Sequence, residues 1–478
     1  MTTIAETLAR FTAGLDYNRI PGDIVTDAAM LLADTLACAI AAAAEPGPNA
    51  IDIVSEQARA DQGSAVATVV GTGWKTSLRA ATLVNCTMAR YLDANDIYMP
   101  VAGSLSGSGH FSDALPALVS AAEAFGSTGR ELIEAVVVAY EVQASLADAF
   151  PWLDRGFHSV SQVTVAVALA VGKLMGLTGL ELAHASSLAI TAGLFVQSWL
   201  HPSTDVPAIK GGAPGLAAER GITCAELAGR GFTGPLDAFE SFFAFFGEDL
   251  PDPASVFDRL GADWMTPRNA IKSVPAQIYI QPVAQCVGRL YDDGLRLESV
   301  SWLRVISNDG ACGRVQGAPG AFRPASREAA DHSTPFVAVM TLRDGRVSPA
   351  SYHDEPWESS RIIDAMSRVE LNIDESWSAK LSERGLLGAE VEAGDHDGNR
   401  YHARVEQFHG HPDNPLTEEE LVGKLESFIG GPDVCGSGAG AELLKRCRDL
   451  PDAMSVEPLL DSCRLVSGDE NSVRDVSD

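Results

Sequence analysis

The sequence predicts a mainly α-helical large domain joined to a smaller α+β domain. Three observations carry that class. Ala/Leu-rich, charge-poor stretches fill residues 1–265, runs of β-branched residues broken by turn dipeptides take over across 266–408, and capped helical spacing returns in 409–478. A chain of 478 residues is long enough for two unequal domains, and 46% apolar residues supply a core for each.

The helices follow in order. Ile24 to Ala43 runs from Pro21-Gly22 to Pro46-Gly47, Leu78 to Leu92 starts after Ser77, and Arg130 to Phe150 opens on Thr128-Gly129 and stops at Pro151. Ser161 to Met175 and Leu180 to Leu200 hold so few charges that both are expected as central helices packed on several sides. Ala166, Ala168, Ala170 and Gly172 permit close crossings, and Thr223 with Glu226 is spaced as the capping box of a short later helix. In the middle section, Val337 to Leu342 entering Arg343-Asp344-Gly345 reads as a strand and turn. Ala389 to Phe408 reads as two strands around Asp397-Gly398. Pro412 to Phe428 returns to helix, with Thr417 and Glu420 as a capping box, and CGSGAG at 435–440 precedes a last helical stretch that should rejoin or flank the large domain.

Composition excludes several function classes. Thirty-five Lys and Arg against 64 Asp and Glu give a net charge of -29, which opposes nonspecific attraction to nucleic acid or anionic lipid. The opening MTTIAETLARFTAGLDYN lacks the basic start and apolar run of a secretory signal, and Val163 to Val171 is too short to span a bilayer, so a cytoplasmic protein is expected. Eight dispersed cysteines contain no CxxC, which argues for buried thiols over a zinc ribbon or a disulfide framework. There is no Rossmann fingerprint, Walker A loop, HExxH or GxSxG.

Unusual side chains gather at a few places. Arg90, Asp93 and Asp96 recur at three-residue intervals and share a face if the helix before them continues, placing a carboxylate as acid, base or orienting group. The glycine- and serine-rich segment 103–109 ends at His110, where an imidazole can face an anion held by loop amides. His158 stands at the mouth of a very apolar helix. Lys210 and Lys272 each suit a substrate carboxylate in a cleft that excludes water, and Arg327, Asp331 and His332 form a compact cationic, acidic and imidazole set. His409 and His411 have ligand-pair spacing without a third ligand, so no metal site is expected; His184, His201, His353, His396 and His402 suggest no role.

Taken together these segments resemble the MmgE/PrpD family. The phrases are RYLDANDIY (90–98), GHFSDALPAL (109–118), GFH (156–158), AIKGGAPGLAAERG (208–221), GFTGP (231–235), KSVPAQIYIQ (272–281), RPASREAADHSTPF (323–336) and GHPDNPLTEEEL (410–421), in family order over nearly the whole chain. The family includes 2-methylcitrate dehydratase, cis-aconitate decarboxylase and an iminodisuccinate epimerase.

The resemblance implies the two-domain MmgE/PrpD-like fold, with the smaller domain inserted before the C-terminal helices and a cleft between the domains. It implies a homodimer that uses no cofactor, and a small polycarboxylate as substrate. By motif position it marks Asp93, His110, His158, Lys210, Lys272 and His332 as catalytic candidates; substrate binding falls to Lys210, Lys272, Tyr279, Arg327 and Asp331. Three positions depart from the family pattern: Ile97 stands for a threonine, Phe111 for a proline, and Tyr279 for the histidine of a dehydratase segment. The implied reaction is water loss from a 2-methylcitrate-like acid, with decarboxylation of a cis-aconitate-like acid or epimerisation of an iminodisuccinate-like acid as alternatives. A catalytically silent polycarboxylate-binding or scaffold protein is the non-enzymatic alternative.

Overall fold

The structure is a computed structural model that describes residues 2–100, 105–197, 206–247 and 257–466. Among the described residues, ten helices come first in its larger part: α1 (Ile4–Gly14), α2 (Gly22–Ala43), α3 (Ala50–Arg59), α4 (Leu78–Tyr91), α5 (Leu115–Phe125), α6 (Gly129–Ala149), α7 (Val160–Leu174), α8 (Gly179–Ala192), α9 (Ile209–Ala228) and α10 (Ala238–Phe245). Side-chain caps fix several starts. Ser77 accepts from the Ala80 N–H at the head of α4, and Thr128 forms a capping box with Glu131 at the head of α6. Helix α7 is wrapped by α6, α8 and α9, burying its charge-poor face on every side. The α4–α9 crossing is close because Gly215 lies against the Leu83 carbonyl, where a Cβ would sit at 2.4 Å. Helix α2 is long and apolar enough to cross a membrane, yet most of it is buried among its neighbours.

The smaller part is built on a four-stranded mixed sheet in the order β6-β5-β7-β8, after the short pairs β1 (Ala67–Thr68) with β2 (Lys75–Thr76) and β3 (Ile97–Tyr98) with β4 (Asn269–Ala270). Strand β5 (Val300–Ser307) runs parallel to β6 (Val369–Ile373) and antiparallel to β7 (Ala389–Asp395), which hairpins into β8 (Arg400–Val405). The hairpin turn needs Gly398 at φ 87, a left-handed value open to glycine. Helices α11 (Gln281–Asp292), α12 (Thr334–Asp344), α13 (Ser360–Met366) and α14 (Glu375–Arg384) accompany the sheet; α15 (Glu418–Ile429) and α16 (Ala439–Arg448) pack back on α2.

Two hydrophobic cores result. One joins the first ten helices to α15, α16 and the chain up to Cys463; the other gathers residues from 270 to 408 and reaches across to Ile97 and Met99. Two of the stretches that pass between the cores touch: the Ile271 N–H donates to the Gly410 carbonyl at 2.9 Å.

Four sequence expectations are corrected. Val337 to Leu342 is not a strand but lies within α12, where Ser333 caps the Phe336 N–H and every residue from Thr334 to Leu342 is buried, so burial on all sides and not alternation explains its apolar run. Leu180 to Leu200 is not one helix: α8 ends at Ala192, because Gly193 presses on Thr164, and Leu194 and Val196 are exposed. Residues 198–200 of that stretch and His201 lie outside the described residues. Thr223 and Glu226 cap nothing, since α9 runs through both and the Thr223 hydroxyl donates back to the Glu219 carbonyl. Finally, Arg90, Asp93 and Asp96 share no helix face, because α4 stops at Tyr91 and Asp93 adopts a left-handed φ of 50.

Candidate active site

That left-handed turn is the foundation of the site. It carries the chain out of α4 into β3, which pairs with β4 where the two cores meet. Lys272, two residues after β4 and fully buried, donates from Nζ to both the Asp93 carbonyl at 2.8 Å and its Oδ1 at 2.9 Å. A non-glycine residue at positive φ costs about 1 kcal/mol or more, and these two hydrogen bonds hold it there. Lys210, in the first turn of α9, lies 3.6 Å from Asp93 Oδ2 and 3.3 Å from Asp331 Oδ2.

Two imidazoles flank the same carboxylate. His110 Nε2 is 3.8 Å from Asp93 Oδ1, and His332 Nε2 is 4.0 Å from Oδ2. His110 is carried beside β3 by the bond from the Tyr98 N–H to the Gly109 carbonyl, and its Nδ1 is buried without a hydrogen-bond partner. His332 is oriented by Asp331, whose Oδ1 meets Nδ1 at 2.5 Å. Asp331 is held in turn by Arg327 Nη1 at 3.0 Å, and that guanidinium lies between the Tyr91 and Tyr352 rings while also donating to the Tyr91 carbonyl. Arg327 thus fixes Asp331, and Asp331 fixes His332.

Burial and charge set the protonation states. Burial alone would raise the Asp93 carboxyl, but Lys210, Lys272, Arg90 and His332 outweigh it and hold the group well below the usual carboxylate range. Burial pushes the Lys272 ammonium down to about 8 against the pull of Asp93, so a modest change in its surroundings moves its proton. Behind Asp93 lie two further buried acids. Burial pushes Asp96 up to about 6 although Ser112 and Tyr140 donate to it, and Asp113 up to about 7 despite Arg90 and the Asn95 amide.

The structure thus brings Asp93, His110, Lys210, Lys272, Arg327, Asp331 and His332 together. His158 is buried at the head of α7, its Nδ1 accepts from the Val160 N–H, and burial, with the nearby charge of Arg90, pushes it down to about 3. Tyr279 makes no hydrogen bond to this cluster among the described residues. Its ring packs on Gly310 and lines a separate cavity of about 310 Å³ together with Asp154, Asp309 and Arg314. The 3-10 turn at Ile278–Ile280 sets the ring beside the exit of β5, and the same cavity is lined by Leu105 and Ser106 from the segment that leads into His110. Of the other departures, Ile97 is packed in the smaller core and Phe111 stacks on Tyr98 at 4.7 Å.

Sequence reading missed Asp113, Asn95 and Lys424. The first two sit inside quoted motifs, where each reads as a helix-start or turn residue. Asp93, Asp331 and His332 present ligand atoms within 4.8 Å of one another, a donor set that fits a metal ion. Lys272 and Lys210 already face the carboxylates, so a dication would meet two ammonium groups on entry.

The comparisons agree with this layout. Residues 6–250 match the MmgE/PrpD N-terminal domain and residues 274–433 the MmgE/PrpD C-terminal domain. The chain is 25% identical over 362 residues to 2-methylcitrate dehydratase of Salmonella typhi, covering 72% of this chain and 73% of that one. It is 27% identical over 370 residues to cis-aconitate decarboxylase of Homo sapiens, covering 73% and 72%, and 24% identical over 450 residues to that of Mus musculus, covering 89% and 87%. Two domain matches that together span most of the sequence and divide it where the second core begins establish that this chain belongs to the MmgE/PrpD family.

Proposed function

We propose that this protein is a lyase acting on a small polycarboxylate without a cofactor, and that its reaction is loss of water from a 2-methylcitrate-like hydroxy acid. The observation that carries the reading is the fully buried Asp93 carboxylate, flanked by two imidazoles and two lysines. Lys210 and Lys272 place positive charge where a substrate carboxylate gains electron density as the neighbouring carbon loses its proton. His332, its Nδ1 engaged by Asp331, offers Nε2 as the base. The C–H pair forms the new double bond, the C–O bond breaks, and protonated His110 donates to the departing hydroxide to give water. The net result moves one proton from His110 to His332, and solvent exchange resets both.

Decarboxylation is the second reading. Tyr279 stands where the dehydratase pattern has a histidine, so a phenol replaces one imidazole of that pattern. A panel of 2-methylcitrate, citrate, cis-aconitate and iminodisuccinate, incubated after exhaustive chelation and read by product mass and chiral separation, separates water loss, carbon dioxide loss and inversion. Water loss from a hydroxy acid is the expected result; carbon dioxide release alone would replace the dehydratase reading. Activity abolished by chelation and restored by a single metal would overturn cofactor independence.

A further inference from the structure

Two guanidiniums at this site keep buried nitrogens without hydrogen bonds, Nε and Nη1 of Arg90 and Nε and Nη2 of Arg327, but Arg327 is anchored through its Nη1. Lys272 is bonded to Asp93, Lys210 lies between Asp93 and Asp331, and Arg327 is bonded to Asp331 and wedged between two aromatic rings. Arg90 is equally enclosed, at 6% exposure, yet its Nε and Nη1 are buried and make no hydrogen bond. Its nearest carboxylate oxygens are Asp93 Oδ1 at 3.8 Å and Asp113 Oδ2 at 3.9 Å, beyond hydrogen-bond reach. Both acids balance its charge without taking up its N–H groups. Asp93 Oδ1 already accepts from Lys272 at 2.9 Å, and Asp113 Oδ1 accepts from the Asn95 amide at 2.9 Å.

A buried guanidinium with unused donors is costly. A charged group left without hydrogen bonds in the interior gives up solvation that its ion pairs only partly restore, and a fold retains it only where something offsets that loss. Its position says what does so. Arg90 sits at the last turn of α4, one turn before Asp93, and its charge acts on both Lys272 and His158. It is therefore central to the cluster and not on its rim.

The geometry points to Arg90 as the clamp for one substrate carboxylate, distinct from the carboxylate that Lys210 and Lys272 hold; this rests on the polycarboxylate reading above. A planar guanidinium gives an anion directional, charge-assisted hydrogen bonds that an ammonium does not reproduce. Two cationic stations, the lysine pair and Arg90, make the site selective for acids with carboxylates spaced along a short skeleton. The second station fixes the skeleton so that the C–H bond is presented to an imidazole.

Calorimetry with tricarballylate, which carries three carboxylates and no hydroxyl to expel, tests this without turnover; butyrate, whose single carboxylate can fill only one station, is the control. Arg90→Met should weaken tricarballylate by roughly 10- to 100-fold with little loss for butyrate, the scale of a lost charge-assisted bond. Arg90→Lys, which keeps charge and most of the volume, should fold as the parent does and recover only part of the affinity. Tricarballylate binding within about threefold of wild type in Arg90→Met, or in Arg90→Lys should the former fail to fold, overturns the clamp alone. Absence of polycarboxylate binding by the wild-type protein overturns the lyase reading and the clamp with it.

Discussion

The two histidines that differ most in their surroundings, His332 and His158, are expected to differ in how they fail. His332 has Nδ1 on a carboxylate and Nε2 toward Asp93, the arrangement of a group that takes and returns a proton. His158 accepts a backbone N–H on Nδ1 and is pushed by burial down to about 3, so between pH 5 and 9 it stays neutral, with its proton on Nε2 as a fixed donor. Replacing His332 by Ala or Gln should lower kcat/KM by roughly 10²-fold or more in both cases. His158→Gln should retain clearly more activity than His158→Ala, because a glutamine amide also donates without titrating. Equal losses in the two His158 variants, with a shifted pH profile, would show that His158 exchanges protons. That His110, Lys210 and Lys272 belong together was legible in the sequence only through the family phrases; spacing along the chain holds no trace of a cluster closed by residues 179 positions apart.

At the scale of elements, α15 does more than cover the large core. Its Lys424, fully buried, pairs with Asp34 of α2 at 2.5 Å and donates to the Ala94 carbonyl at 2.9 Å, so the C-terminal helix grips the residue next to Asp93. Lys424→Met leaves Asp34 buried without its cation, a loss of about 3–5 kcal/mol. Thermal denaturation should show a large drop for Lys424→Met, and the Asp34→Asn, Lys424→Met pair should recover part of it. Losses that simply add would mean that the two groups act independently. The capping box at Thr417 and Glu420 announced this helix from sequence alone, and the hairpin at Gly398 was announced by its turn dipeptide. Its lysine was hidden, since a Lys beside Glu418, Glu419 and Glu420 reads as part of a solvated face. The same limit explains α12, where full burial erased the period that separates helix from strand.

For the whole molecule, the net charge of -29 means that copies repel one another at long range, so any assembly relies on local apolar contact and strengthens with salt. The family resemblance leads us to expect a homodimer with a solution mass about twice the 50.4 kDa of the chain. Light scattering across a broad concentration range checks this, and a monomer throughout would reject it. The larger core has a further consequence, which concerns time. Because it closes only when Leu421 to Cys463 return to helices made hundreds of residues earlier, a chain still emerging from the ribosome holds α2 with its Asp34 carboxylate unanswered and an apolar flank uncovered. The smaller sheet, complete by Val405, is free to form first. Synthesis therefore passes through a long interval in which the smaller sheet is ready and the larger core is waiting for α15 and α16.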